Sequence, residues 1–317
     1  LFLLRGAMLE ADILYVDQLP AEPGSGWDGV DGHDYASMIA DGHGYASIKA
    51  AISASMPGDI IYVREGVYYE NTITFPRSGT AEHPIVVSRY ENENVIIDGQ
   101  QDIDSDGFIF GFSDVHYVTI DGLKVTGFGT DFWGGGFYFG GRGSCSNILV
   151  QNCEIYSTDA SRNTDNPSLI VFHSSDRCSV VNSRIYSLNN PSAIQISGIK
   201  VWKDNTNVLI ENCEFFGLFG KAFDNKHGIP GQNIVVRNNY FHQCSHYEGA
   251  IHINADNARI ENNIIAYCRT GIMLYHEAGS AGGSGSILDH NTIFECSSGI
   301  VLCDTNSHML FDVVTTN

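Results

Sequence analysis

Val208-Leu209-Ile210-Glu211-Asn212, Ile234-Val235-Val236-Arg237-Asn238 and Ala258-Arg259-Ile260-Glu261-Asn262 are three versions of one phrase, a short aliphatic run closing on a polar turn residue. The phrase recurs upstream, ending at Gly122, Asn152 and Asn182, and downstream, ending at His290. The spacings between these end residues are 30, 30, 30, 26, 24 and 28. Three residues after each marker from Asn152 onward stands Ile155, Ile185, Phe215, Phe241, Ile265 or Ile293; six residues after stands Thr158, Leu188, Leu218, Cys244, Cys268 or Cys296. A third short run follows, as in Ala250–Ile253, Ile272–Tyr275 and Ile300–Cys303. Each repeat therefore reads as three short strands and three turns. One repeat cannot bury its apolar face alone, but stacking at the ~4.8 Å strand spacing lets every coil cover its neighbour. The period predicts an all-β, single-stranded parallel β-helix over 58–317, of roughly ten coils. Its equivalent residues form columns: an aliphatic stack, an asparagine ladder and a cysteine stack.

Outside the repeats, Tyr45–Met56 reads as a short helix stopped by Pro57-Gly58, so residues 1–57 are expected to be an N-terminal segment with a helix capping the first coil. The chain has 317 residues, 43% hydrophobic and 17% charged, too apolar and too weakly charged for a disordered polymer. Its net charge of −20 argues against nucleic acid or an anionic membrane as partner. No apolar run is long enough to span a bilayer. The eight cysteines show no CxxC spacing. Cys244, Cys268 and Cys296 share a column with Leu188 and Leu218, which marks them as small buried hydrophobes; Cys153 and Cys213 share another.

Gly58-Asp-Ile-Ile-Tyr-Val-Arg-Glu-Gly-Val-Tyr-Tyr-Glu70, followed by Pro84-Ile-Val-Val87 and Val95-Ile-Ile-Asp-Gly99, resembles the opening of secreted right-handed β-helix proteins of the pectin-lyase-like superfamily. The resemblance covers nearly the whole chain. It implies the fold and a handedness; the superfamily holds lyases, hydrolases, epimerases, tail spikes and adhesins, so it does not fix a reaction. It also implies that the third sheet floors a substrate groove. With the acidity of the chain, and with Leu1–Leu4 then Arg5 readable as the tail of an export signal, it favours a secreted or cell-surface protein.

Strand alternation sorts the third run into inside and outside. In Ala250–Asn254 the isoleucines face in, while His252 and Asn254 are expected to face out. One outward column is expected to hold His173, Ser197, Lys226, Asn254, His276 and Asp304. The other is expected to hold Val171, Gln195, Asp224, His252, Leu274 and Leu302, with Tyr138 and Arg142 extending the surface. Asn225 falls on the inward side. A saccharide lying along this face would meet Lys226, His252 and His276 as candidate catalytic groups, with His173, Gln195, Asp224, Asn254, Tyr138 and Arg142 as candidate binding groups. The plain alternative is a solvated polar face, with Asp224 and His252 a cross-strand ion pair.

β-Elimination from a uronate needs the carboxylate neutralised, a base for the adjacent proton and an acid for the leaving oxygen. Lys226, beside His227 and close to His252, suits the base; a Ca²⁺ or amides such as Asn254 and Gln195 suit the carboxylate. Lys221-Ala-Phe-Asp-Asn-Lys-His227 is similar to the N-K-S stretch of the alginate lyase and chondroitinase B family, where the matching lysine is the base and the asparagine helps bind carboxylate or Ca²⁺. Two departures stand out. Lys221 replaces that family's acidic residue, and Ile253-Asn-Ala-Asp256 replaces its L-R-H-G, leaving the arginine's role unfilled. No adjacent aspartate pair exists, and Asp224 with Asp256 is the sole plausible carboxylate pair for a hydrolase. Elsewhere, Asp102-x-Asp104-x-Asp106-Gly107 matches half of an EF-hand loop, with Ser113 at its twelfth position, and makes those aspartates the expected ligands of a Ca²⁺. The sequence thus reads as a carbohydrate-active β-helix acting on an acidic polysaccharide, leaning to a lyase. The alternative is a non-catalytic glycan-binding or structural β-helix such as a tail spike or surface protein.

Overall fold

The computed structural model describes residues 11–17, 42–100, 107–127, 135–141, 143–158, 167–188, 196–202, 204–225, 232–276, 285–304 and 314–316. Three sheets run the length of a solenoid. Successive strands of each sheet come from successive coils, and every strand pairing is parallel. The first sheet takes the quoted phrases (His116–Asp121, Cys145–Gln151, Ser179–Val181, Leu209–Glu211, Val235–Arg237, Arg259–Glu261, Ile287–Asp289). The second takes the runs that follow each marker, and the third the runs after those; both have nine strands among the described residues.

Each marker residue turns the chain from the first sheet to the second by adopting the left-handed region. Asn152, Asn182, Asn212, Asn238, Asn262 and His290 have φ between 50° and 58°, and Gly122 has φ 73°. Asparagine tolerates that region better than other non-glycine residues, which explains its recurrence. The buried amide ladder runs one residue later. Asn239 Oδ1 accepts from the Cys213 amide (2.8 Å), Asn263 Oδ1 from Asn239 N (3.0 Å) and Asn291 Oδ1 from Asn263 N (3.0 Å), while Asn263 Nδ2 donates to Val236 O (2.9 Å). Cys153, Ser183 and Cys213 fill the same column in the earlier coils. Burial pushes the Cys153 and Cys213 thiols up to about 12.

The core is continuous, with Ile155, Ile185, Phe215, Phe241 and Ile265 in one column. The cysteine column departs from expectation in its two earliest members, Thr158 being exposed as well. Leu218, Cys244 and Cys268 are buried and Cys296 half-buried, but Leu188 is 57% exposed. In the later coils the preceding residue has positive φ (Gly217 65°, Gln243 55°, Tyr267 55°, Glu295 52°), which turns the next side chain inward. Ser187 ends an uninterrupted strand, so Leu188 stays on the outside. All eight cysteines are free. The helix is shorter than the expected span, Ile48–Ala54. Ser47 caps it by accepting from Ala50 N, and Glu70, from the first coil, accepts from Ile48 N (2.7 Å) and Lys49 N (2.9 Å). Ile48, Ala51 and Ile52 pack into the solenoid core. No described helix is long and apolar enough to cross a membrane.

Candidate active site

The third sheet carries the site. Its strands Gly135–Phe139, Ser168–Phe172, Ser197–Val201, Phe223–Asn225, Ile251–Ile253 and Thr270–His276 keep an inward residue on both sides of one outward residue, apolar everywhere but at Asn225. Cross-strand pairing lines these outward residues up as Tyr138, Val171, Lys200, Asp224, His252 and Met273. Lys200, Asp224 and His252 are each only 3% exposed, so this polar row is not a solvated face.

The register corrects two neighbours. Lys200 stands beside Asp224 where Gln195 was expected, and Met273 stands beside His252 where Leu274 was expected. Leu274 pairs with Ile253 and points into the core. A slip of one residue exchanges the faces of a strand, and spacing alone does not fix it when the intervening turns differ in length. His276 pairs with Asp304, as expected, but Asn254 does not share that column. Asn254 is fully buried rather than outward. It follows the inward Ile253, where the chain leaves the strand, and its backbone N–H donates to Asn225 Oδ1 (3.2 Å). Asn225 is the inward residue that alternation predicts, with Nδ2 donating to Gln232 Oε1 at 3.1 Å. Lys226, Gln195, Arg142, Asp102, Asp104 and Asp106 lie outside the described residues, as does the side chain of His276.

His252 Nδ1 lies 2.9 Å from Asp224 Oδ1. Asp224 Oδ2 meets Lys221 Nζ at 3.4 Å, and the same ammonium meets Glu248 Oε2 at 2.7 Å. Burial pushes the Asp224 carboxyl up, but the His252 hydrogen bond and the charges of Lys221, His252 and Lys200 outweigh it and hold Asp224 well below the usual carboxylate range. Burial likewise opposes the Lys221 charge, and Asp224 with Glu248 raises it above its ordinary value. His246, beside Glu248, is lowered to about 4 by burial and by Lys221, and stays neutral at physiological pH. Lys200 and Lys221 thus stand against Asp224 and Glu248, in a chain whose net charge is −20. An anionic ligand would meet less repulsion here than over the rest of an acidic surface.

Tied to a carboxylate through Nδ1, His252 has Nε2 as its remaining exchangeable position. That atom is buried and meets no hydrogen-bond partner among the described residues, with the Tyr275 ring 5.3 Å from the imidazole, centroid to centroid. Buried polar atoms are nearly always satisfied, so an unpartnered imidazole nitrogen beside a paired carboxylate makes His252 the notable group of the row. Further along the sheet, Tyr138 stacks on Phe108 (5.7 Å) and on His173 (6.4 Å). Tyr138 lies three coils from Asp224, ~14 Å at the strand spacing. No group of three His, Cys, Asp or Glu among the described residues is arranged to hold a metal ion.

Sequence reasoning missed Lys200, Glu248 and His246. Lys200 was legible in Ile199-Lys200-Val201, one polar residue between two inward aliphatics. Glu248 and His246 sit in the turn between Cys244 and Ala250, where no periodicity reports a direction.

Coils, parallel sheets, amide ladder and outward polar row together make this a parallel β-helix, and the family models it matches give it the right-handed class, with the pectin-lyase-like fold. More particularly, residues 36–193 match the family described as "Pel9A-like, right handed beta helix region", and residues 168–317 match "Right handed beta helix region". Pectate lyase PEL9 of Emericella nidulans is 40% identical over 72 residues, a stretch amounting to 22% of this chain and 17% of that protein's length. Among solved structures, pectate lyase Pel9A superposes with a TM-score of 0.62 at 16% identity, covering 97% of this chain and 78% of that one. The alginate lyase AlyGC of family PL6 superposes with a TM-score of 0.55 at 18% identity, over 78% of this chain and 34% of that one. At these identities the structural likeness is one of fold.

Proposed function

We propose that the protein is a secreted or cell-surface enzyme that cleaves an acidic, uronate-containing polysaccharide by β-elimination along the outer face of its third sheet. The observation that carries this reading is the buried Lys200–Asp224–His252 row with its Lys221–Glu248 buttress. Removing this many charges from water is costly and is a feature of functional sites more than of solenoid walls. The named activities of the relatives, pectate lyase and alginate lyase, point to the same chemical class. In this reading Lys226, next in the chain to Asn225, is the base that takes the proton from the carbon bearing the uronate. His173 and Tyr138 bind sugar, joined by Arg142 and Gln195, and His276 stays with Lys226 and His252 among the catalytic groups. A Ca²⁺ on Asp102, Asp104 and Asp106 belongs to the same proposal, and a calcium-dependent rise in unfolding temperature, absent from Asp104→Ala, tests it.

A non-catalytic glycan binder is the second reading. It draws on the outer row of the second sheet, where Tyr156, Tyr186, Phe216 and His242 stack at 4.5 to 5.2 Å, one ring per coil. Those rings spend their faces on one another and offer mainly edges to a sugar, which weakens that row as a platform. Incubation with alginate, pectate and glycosaminoglycans, followed by ultraviolet absorbance of unsaturated product, separates the two. The lyase reading expects absorbance to grow with wild type on at least one polymer and to vanish with Lys226→Ala. Affinity for a polymer without new absorbance supports the binder.

A further inference from the structure

We infer that His252, through Nε2, is the general acid that protonates the leaving glycosidic oxygen, and that Asp224 is its positioning residue. This rests on the lyase reading above. The geometry is specific to one ring atom. Nδ1 is committed to Asp224 at 2.9 Å, which fixes the plane and the orientation of the imidazole. Asp224 is itself held by Lys221, and Lys221 by Glu248, so the carboxylate cannot swing away. The outcome is a buried Nε2 with no partner among the described residues.

The step balances within the site. The base removes the proton from the carbon bearing the carboxylate. The released electron pair forms the carbon–carbon double bond, and the carbon–oxygen bond breaks with its pair passing to oxygen. His252 Nε2–H gives its proton to that oxygen and is left neutral, to be recharged from solvent after product departs.

The test compares two leaving groups on folded variants. His252→Gln keeps a polar side chain of similar reach and is first checked for the wild-type β-sheet circular-dichroism spectrum. On the susceptible polymer it is expected to lose about 100-fold or more in kcat, the usual contribution of a positioned acid. On a synthetic uronide whose leaving group is fluoride or an activated aryl oxide, no protonation is needed, and the loss is expected to shrink to about fivefold or less. Asp224→Asn is expected to show the same split, a large loss in kcat on the polymer and a small one on the activated leaving group; a purely structural defect would lower both alike. Equal losses on both leaving groups, or no loss on the polymer, overturn the assignment while leaving the lyase reading intact. A wild-type protein that forms no unsaturated product from any polymer overturns the lyase reading itself, and this inference with it.

Discussion

Replacing Asp224 by alanine tests whether the third-sheet row is a buried electrostatic unit or an ordinary wet surface. The carboxylate is 3% exposed, accepts from His252 at 2.9 Å, meets Lys221 at 3.4 Å and has Lys200 in register on the preceding coil. Deleting it leaves buried positive groups without their counter-charge, a loss of about 3–5 kcal/mol when one member of a buried pair is removed. Lys221 keeps Glu248 at 2.7 Å, which sets the expectation at the lower end, about 3 kcal/mol. Urea unfolding at neutral pH reads this as a fall in midpoint. Arg259→Ala, which breaks a contact at a half-exposed side chain, is the control and should cost under about 1 kcal/mol. The pH dependence carries the sign. Asp224 is depressed in the folded state, so its contribution is present above the unfolded carboxylate value and is lost as pH falls through the folded one. The gap between wild type and Asp224→Ala should therefore be present at neutral pH and narrow below about pH 4. A neutral-pH gap below about 0.5 kcal/mol would refute the reasoning and return the row to the status of a solvated ion pair.

Other expectations follow from the same geometry. Asn263→Ala should destabilise by about 2–4 kcal/mol in urea, because it orphans the buried Asn239 N–H and Val236 carbonyl, whereas the exposed neighbour Asn262→Gly should be near neutral at its φ of 54°. In acid, thermal stability should fall below about pH 4, since Asp224, Glu248, Glu214 and Asp176 are all depressed in the folded state despite burial; a melting temperature flat from pH 5 to 2 would contradict this. Iodoacetamide at pH 8 should leave Cys153 and Cys213 unmodified until the chain unfolds, and peptide mapping that finds them labelled in the native protein would show that they are not buried thiols.

The solenoid was legible because it is written many times over. A strand phrase closing on asparagine recurs at nearly constant spacing, and the left-handed turn explains why the residue is asparagine. The neighbourhood of Asp224 and His252 was legible for the same reason, since both lie in short strands of unambiguous alternation. Legibility stopped where turn length varies. Leu188 reads as inward by counting, yet the missing positive φ at Ser187 leaves it outside. Gln195 lies five residues before Lys200 and Leu274 one after Met273, so counting misplaces both where the loops preceding those strands differ in length. Asn254 reads as an outward partner of His252 by parity, but the strand ends at Ile253 and parity no longer applies. Lys221 and Glu248 pair across 27 residues of sequence, a contact that no local pattern announces.

The account stands most directly on where a uronate oligosaccharide binds. Diffraction from crystals of the Lys226→Ala variant soaked with a tetrasaccharide of the susceptible polymer should show sugar rings along the third sheet, with a glycosidic oxygen within hydrogen-bonding reach of His252 Nε2. Sugar bound instead against the Tyr156–His242 row of the second sheet, with the Asp224–His252 pair untouched, would contradict it.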